Sequence, residues 1–202
     1  MTEPIHLRAS DARVVPWKNG RGTTRELALG PPGASFERGD FDWRISAASV
    51  EEDGPFSSFP GIERVLVVTR GAGIVLDHGE AAPRARVERL VPYRFSGDWP
   101  TRGELVSGRI ADFNVLCRRG VARAEVEVLA GHAAHELRLE PAAQLFVHLL
   151  EGALFARSAA HERTWTLASG ESLWLADGPA PELSLAGRGS ALLVRLARAN
   201  AG

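Results

Sequence analysis

Apolar and polar positions along this chain alternate with a period of two far more often than with the helical period. The clearest case opens the stretch Phe41–Gly73: Trp43, Ile45 and Ala47 fall on one side, Arg44, Ser46 and Ala48 on the other. That spacing predicts a β-strand with one polar face. Gly54-Pro55 breaks the run and Pro60-Gly61 makes a second turn. Val65 to Thr69 then form an apolar strand, closed by Gly71-Ala72-Gly73, which reads as a hairpin turn.

The same grammar continues in both directions. Ile5, Leu7 and Val14-Val15 suit short strands, and Thr23-Thr24 lead into a strand through Leu29 after the irregular loop PWKNGRG. Further strands are predicted at Ile74–Leu76, Val87–Leu90, Glu104–Val106 and Ile110–Cys117. In the last of these Asp112 and Asn114 share one face, opposite Phe113 and Val115. Two polar side chains at that spacing mark either a barrel with a partly polar interior or an edge face in water. Beyond Val121 the pattern predicts strands at Val121–Leu129, His135–Leu139, Leu145–Leu150, Leu154–Ala156, Thr164–Leu167, Ser172–Ala176, Glu182–Leu185 and Ala191–Ala197. No long amphipathic helix interrupts them. Many short strands between Gly, Pro and Asp turns predict an all-β sandwich or barrel.

The two halves resemble each other. RVLVVTRGAG (Arg64–Gly73) parallels QLFVHLLEGAL (Gln144–Leu154). RLVPYRFSGDWP parallels TLASGESLWLADGP, and ELVSGRIADFNVLCRR parallels ELSLAGRGSALLVRLAR. The second copy carries small and apolar residues near Ala191 and Leu193 where the first has Asp112 and Asn114. Its interior is expected to be drier, and any site is assigned to the first copy. The domains are drawn at 1–120, carrying the pocket, and 121–202, structural.

Composition narrows the function classes. The 202 residues are 45% hydrophobic and 24% charged, with a formal net charge of −1, which gives no electrostatic case for nucleic acid or an anionic membrane. No apolar run approaches the ~18–20 residues that span a bilayer. The N-terminal segment lacks the apolar core of a secretory signal. The single cysteine, Cys117, excludes an internal disulfide framework and a cysteine-based zinc site, and a reducing cytoplasm fits. All 24 basic residues but Lys18 are arginines, which draws attention to the loop around it. An ammonium is a compact point charge, whereas a guanidinium is a planar fork.

The six histidines are scattered. His132 and His135 are three apart in a strand-like segment, where they face opposite ways and cannot share a metal; His148 sits in an apolar strand as a hydrogen-bonded core residue. No metal and no cofactor are expected. No Gly-x-Ser-x-Gly elbow and no Gly-x-Gly-x-x-Gly fingerprint occur. What remains is a cluster of cations, amides and aromatics: Lys18, Asn19, Arg25, Trp43, Arg44, Phe59, Arg64, Asp112, Asn114 and Arg118. Arginines bind carboxylates bidentately, and aromatic walls strengthen such contacts. The residues support two readings: a small-carboxylate pocket, or a structural network in which the arginines pair with Glu26, Glu63 and Asp112.

PWKNG with TRE shortly after, then DWRIS, GPFSSFPGIER and DFNVLCRR, together resemble the HutD/Ves family of bacterial proteins. The match spans most of the first half; Arg21 interrupts a loop that is usually richer in glycine. The resemblance implies a bicupin, two tandem cupin-like β-barrels or jelly rolls in one compact chain, without the usual cupin metal ligands. It implies a link to histidine utilisation, through binding of an intermediate such as N-formyl-glutamate or urocanate. From the family motifs, Trp17, Lys18, Asn19, Arg25, Trp43, Arg44, Phe59 and Arg64 are expected to form the ligand pocket, joined by Asp112, Asn114 and Arg118. Arg44 and Arg64 hold carboxylates in this reading, Lys18 and Asn19 contact a second oxygen, and Trp43 and Phe59 line the walls. A metal-independent isomerase or hydrolase using Lys18 or Asp112 as acid/base is the rival reading, and a protein-interaction module with a homodimer through the second barrel is a third. Elemental analysis of the purified protein tests the metal expectation: zinc, iron and manganese are expected well below one per chain, and a stoichiometric metal overturns it.

Overall fold

The structure, a computed structural model, describes residues 3–17, 22–138, 143–158, 162–176 and 182–199. Sixteen strands carry it: β1 (Ile5–Leu7), β2 (Arg13–Pro16), β3 (Gly22–Gly30), β4 (Trp43–Val50), β5 (Gly54–Pro55), β6 (Ile62–Arg70), β7 (Ile74–Asp77) and β8 (Ala85–Val87); then β9 (Tyr93–Ser96), β10 (Arg102–Leu105), β11 (Ile110–Arg118), β12 (Ala122–Arg138), β13 (Gln144–Ser158), β14 (Arg163–Ala168), β15 (Ser172–Leu175) and β16 (Glu182–Arg198). Two single 3-10 turns, Ala9–Asp11 and Gly79–Ala81, are the helical elements among the described residues.

Contacts divide the chain into two units, Arg13–Ala122 with Ala199–Gly202, and Arg123–Arg198 with Met1–Ala12. The first twelve residues therefore belong with the second half, because β1 adds to the edge of β15 (Ile5 opposite Trp174, Leu7 opposite Ser172). The boundary at 120 drawn from the sequence missed this exchange, which no local pattern announces.

In the first unit one sheet runs β2-β3-β4-β11-β6-β9 and a second β5-β10-β7-β8. Leu66, Val68, Ile74, Leu76, Val87, Phe95 and Ile110 form the core between them. Each such side chain removed from water stabilises the fold by roughly 1.5–3 kcal/mol. The opposite face of the larger sheet is buried as well, at Ile45, Val67 and Phe113. Gly71-Ala72-Gly73 is not a hairpin: β6 lies in the large sheet and β7 in the small one, so the turn carries the chain from one sheet to the other. Both glycines have positive φ, and a Cβ on Gly71 would lie 2.8 Å from the Arg109 carbonyl oxygen. Strand β8 ends at Val87, short of the expected Leu90, which has a φ of 62°.

The second unit repeats the pairing. β13 lies between β15 and β16 as β6 lies between β9 and β11, so the three sequence landmarks of the repeat occupy equivalent strands. The difference is continuity. Where the first unit breaks its strands between sheets, β12, β13 and β16 run through as strands of 17, 15 and 17 residues. The sequence predicted two strands for each. Gly152 and Gly189 permit the continuity: they lie opposite each other beside a register shift at Leu149/Glu151. A Cβ on Gly189 would stand 1.9 Å from the Glu151 carbonyl oxygen. The interior is filled by Leu145, Val147, Leu149, Trp165, Leu167, Leu173, Leu183 and Leu193. His148 is buried with its Nδ1 2.8 Å from Ser172 Oγ.

Gly189→Ala is expected to destabilise the protein by at least about 2 kcal/mol, because positive-φ strain and a backbone clash coincide. Gly33, also at positive φ but with nothing within 4 Å of its Cβ position, is the control and is expected to cost only about 1 kcal/mol. Urea unfolding of the two variants checks the difference.

Candidate functional site

The two sheets of the first unit do not close on a filled core. A cavity of about 720 Å³ remains, lined chiefly by β3, β4, β6 and β11 and by the segments around Phe36 and Phe56–Phe59. In the second unit a pocket lined by Leu129, Leu149, Leu154, Gly187 and Ala191 measures about 20 Å³, room for little beyond a single water.

Strand parity and register build the polar floor. Arg44 and Arg64 both sit opposite Leu116, one on each side, while Ser46 faces Asn114 and Ala48 faces Asp112. These even-numbered residues of β4, β6 and β11 point into the cavity. Arg44 donates from Nε to Glu26 Oε2 at 2.8 Å, and its guanidinium lies 4.0 Å from the centre of the Phe36 ring. Arg64 donates to Asn114 Oδ1 at 3.0 Å and to the Ser57 carbonyl at 3.3 Å; Asn114 in turn donates to Asp112 Oδ1 at 2.6 Å. The rings of Phe95, Phe56 and Phe59 surround the Arg64 guanidinium at 4.8, 5.3 and 5.4 Å, distances at which a cation is attracted to an aromatic face. Its Nε is buried without a protein hydrogen-bond partner. Exposed Arg13, Val15, Glu37 and Glu52 mark where the lining meets solvent, and Arg13 pairs with Glu37 there.

The aromatic loops are pinned by main-chain bonds. Phe56 N–H donates to the Thr101 carbonyl at 2.8 Å, Phe59 N–H to the Gly97 carbonyl at 2.8 Å, and Gly61 N–H to Asp98 Oδ1 at 2.8 Å. Arg119 bridges Glu63 and Asp98 beneath that turn. Phe36 comes from a separate loop and meets Phe59 edge-on at 5.8 Å.

Of the residues expected at the site, Trp17, Arg44, Phe59, Arg64, Asp112 and Asn114 line the cavity. Trp17 is fixed by its Nε1 donating to Thr24 Oγ1 at 2.8 Å. Lys18 and Asn19 lie outside the described residues. Three others lie off the cavity lining. Trp43 sits on the other face of β4, buried against Gly30, where a Cβ would meet its ring at 2.5 Å. Arg25 is excluded by the same parity on β3, whose Thr24 and Glu26 line the cavity while Arg25 sits opposite Ala47. Arg118 donates from Nε to the Phe41 carbonyl at 3.1 Å and from Nη2 to the Gly39 carbonyl, so it holds the loop that carries Phe36 rather than facing a ligand. Lining residues absent from the expected set include Thr24, Glu26, Phe36, Ser46, Phe56 and Ser57. Period two on β3 and β4 could have found Thr24, Glu26 and Ser46; the loop aromatics carry no periodic signal.

Burial sets the ionisation of the floor. It pushes the Asp112 carboxyl up to about 7, against the opposing pull of Arg64 and the hydrogen bonds from Asn114 and at Ala48. It draws Arg64 down to about 10, with Asp112 opposing and Arg44 reinforcing. Cys117 is pushed up to about 12 by burial, which makes it an inert core thiol. Among the described residues no group of three or more His, Cys, Asp or Glu could hold a metal ion. Among the described residues no helix is long and apolar enough to cross a membrane.

Two jelly-roll barrels of antiparallel strands, one enclosing a side-chain-lined cavity, define a cupin-type protein doubled within one chain, an all-β bicupin. The HutD family model matches residues 9–193, and the chain belongs to that family. Protein Ves from Cronobacter sakazakii is 40% identical over 113 residues, covering 55% of this chain and 59% of that relative. The chain thus matches about three-fifths of the length of such curated relatives. The crystal structure of PA5104, a conserved protein of unknown function from Pseudomonas aeruginosa PAO1, is 29% identical and superposes with a TM-score of 0.83, covering 97% of this chain and all of that one. HutD from Pseudomonas fluorescens SBW25, in a formate condition, is 27% identical with a TM-score of 0.80, covering 98% of this chain and 100% of the other.

The raised Asp112 carboxyl fixes the sign of a pH effect. Its folded-state value lies above the unfolded one, so the stability it contributes is complete below about pH 4 and is lost as pH rises through about 7. Asp112→Asn is expected to flatten the decline in melting temperature between pH 5 and 8, read by thermal unfolding across that range.

Proposed function

We infer that this HutD-family bicupin binds a small carboxylate metabolite in the cavity of its first unit, and that it acts in the cytoplasm as a sensor or accessory factor moderating histidine utilisation. The observation that carries the binding reading is Arg64: a buried guanidinium, ringed by three phenylalanines, lining a cavity of about 720 Å³ with its Nε unpartnered by protein. A buried donor left without a partner costs roughly 1–3 kcal/mol, which a ligand oxygen relieves. Arg44, already paired with Glu26, stands two strands away as a second cation. The aromatic wall of Trp17, Phe36, Phe56 and Phe59 suits a ligand with a short carbon skeleton or a flat ring, such as N-formyl-glutamate or urocanate.

A second reading is favoured by one feature. A buried carboxyl that ionises near neutrality has the property expected of a general acid or base, and Asp112 is such a group. In that reading the protein is a metal-independent isomerase or hydrolase of the same ligand class.

One experiment separates the readings. The protein is incubated with N-formyl-L-glutamate and with urocanate while melting temperature and product formation are both followed. Binding predicts stabilisation without product. Arg64→Ala is expected to weaken the stabilising ligand at least about tenfold, since a charge-assisted contact is lost. Product that disappears in Asp112→Asn supports the enzyme. No response to either compound overturns the ligand assignment.

A further inference from the structure

Asp112 has a place in the cavity that the binding reading leaves unused. Among the described residues the buried floor holds two cations, Arg44 and Arg64, and two acids, Glu26 and Asp112. The two acids are held differently. Glu26 contacts Arg44 directly at 2.8 Å and keeps 30% of its side chain exposed. Asp112 is 1% exposed and reaches Arg64 only through Asn114, whose amide accepts from Arg64 at 3.0 Å and donates to Asp112 at 2.6 Å.

With both acids ionised, the charges of these four described residues balance. A carboxylate seated on Arg64 adds a negative charge to an aromatic-walled cavity. Like charges in such surroundings do not coexist cheaply, and one group takes a proton. Among the described residues the charged groups facing this space are Arg64 from β6, Arg44 from β4 and Glu26 from β3, with Asn114 beside Asp112 on β11 and Arg13, Glu37 and Glu52 at the exposed rim. Of the acids, Glu26 contacts its arginine directly. Asp112 has no such contact, and ligand binding draws Arg64 toward a new anion.

Resting on the carboxylate reading above, we propose that Asp112 is the specificity-determining acid of this cavity: it takes up one proton as the ligand carboxylate binds, and turns from acceptor to donor. The balance is simple. A proton passes from solvent to the Asp112 carboxylate, no covalent bond of the ligand changes, and release of the ligand returns the proton. Once protonated, the carboxyl O–H donates to whatever oxygen stands beside it. The cavity therefore selects ligands that present carboxylate or acyl oxygen there and discriminates against those that present an amine. Its affinity also falls as the medium becomes alkaline. The burial that pushes Asp112 up to about 7 puts this exchange near neutrality.

The test is isothermal titration with N-formyl-L-glutamate at pH 8 in buffers of different protonation enthalpy, repeated from pH 6.5 to 8.5. Wild-type protein is expected to take up close to one proton per ligand, with affinity weakening about tenfold per pH unit at the alkaline end. Asp112→Asn is expected to bind without proton uptake and with a flat profile. Glu26→Gln, which removes the other acid, is expected to retain the uptake. Ligand-induced infrared difference spectra of the wild-type protein are expected to show a new protonated carboxyl, a readout that stands even if Asp112→Asn does not fold. Binding with no proton uptake in wild type overturns the proposal and leaves the carboxylate reading intact. Uptake that survives in Asp112→Asn overturns the role of Asp112. Absence of any binding across the pH range overturns both.

Discussion

Everything distinctive in this protein follows from burying a guanidinium inside a β-barrel. Arg64 is 5% exposed, and a charge so placed is tolerated only if its surroundings answer it. They do so in two ways. Three phenylalanine rings present their faces to the cation, and a chain of two short hydrogen bonds leads from it through Asn114 to Asp112. That chain fixes the orientation of the Asn114 amide and binds β6 to β11 from the inside. It also leaves donors over. A guanidinium has five N–H groups, and two of them are engaged by protein here. Arg64 is therefore surrounded but left incomplete in hydrogen bonding, the condition under which a small anion or an acyl oxygen binds well.

The duplication sharpens this. Both units use the same central trio of strands, β9-β6-β11 and β15-β13-β16. In the first unit β6 and β7 are separate strands in separate sheets, and the space between the sheets stays open around polar side chains. In the second, β13 and β16 continue through paired glycines, and leucines fill the interior. Ala191 and Leu193 lie in that core, in the copy of the strand that carries Asp112 and Asn114 in the first unit. The same framework thus yields a packed scaffold or a binding cavity, depending on whether a few inward positions are apolar.

How far the sequence reached depended on the kind of signal. Period two found β4 and β11 and separated Arg44 from Trp43 by face. Applied strictly it would have excluded Trp43 and Arg25 from the cavity and admitted Ser46, Thr24 and Glu26. The family motifs hold residues of both faces, because a motif runs along the chain without regard to parity. Arg118 has the inward parity of Asp112 and Asn114, yet it lies at the strand end and turns to the carbonyls of Gly39 and Phe41. Parity says which way a side chain leaves the strand, not where a long one ends. Phe36 lies in a loop with no period at all, and its place over Arg44 is settled by how that loop folds back.

The sequence by itself determined the all-β class, the doubling, the absence of histidine clusters in the first repeat and the inward polar pair Asp112 and Asn114. These are properties of alternation and composition, which act locally along the chain. The tertiary structure decided that Gly71–Gly73 crosses between sheets, that β1 joins the second unit, and that Arg64 lies within one amide of Asp112. Those outcomes depend on register between strands fifty residues apart, where one step would reverse every face, and only the closed sheets fix that step.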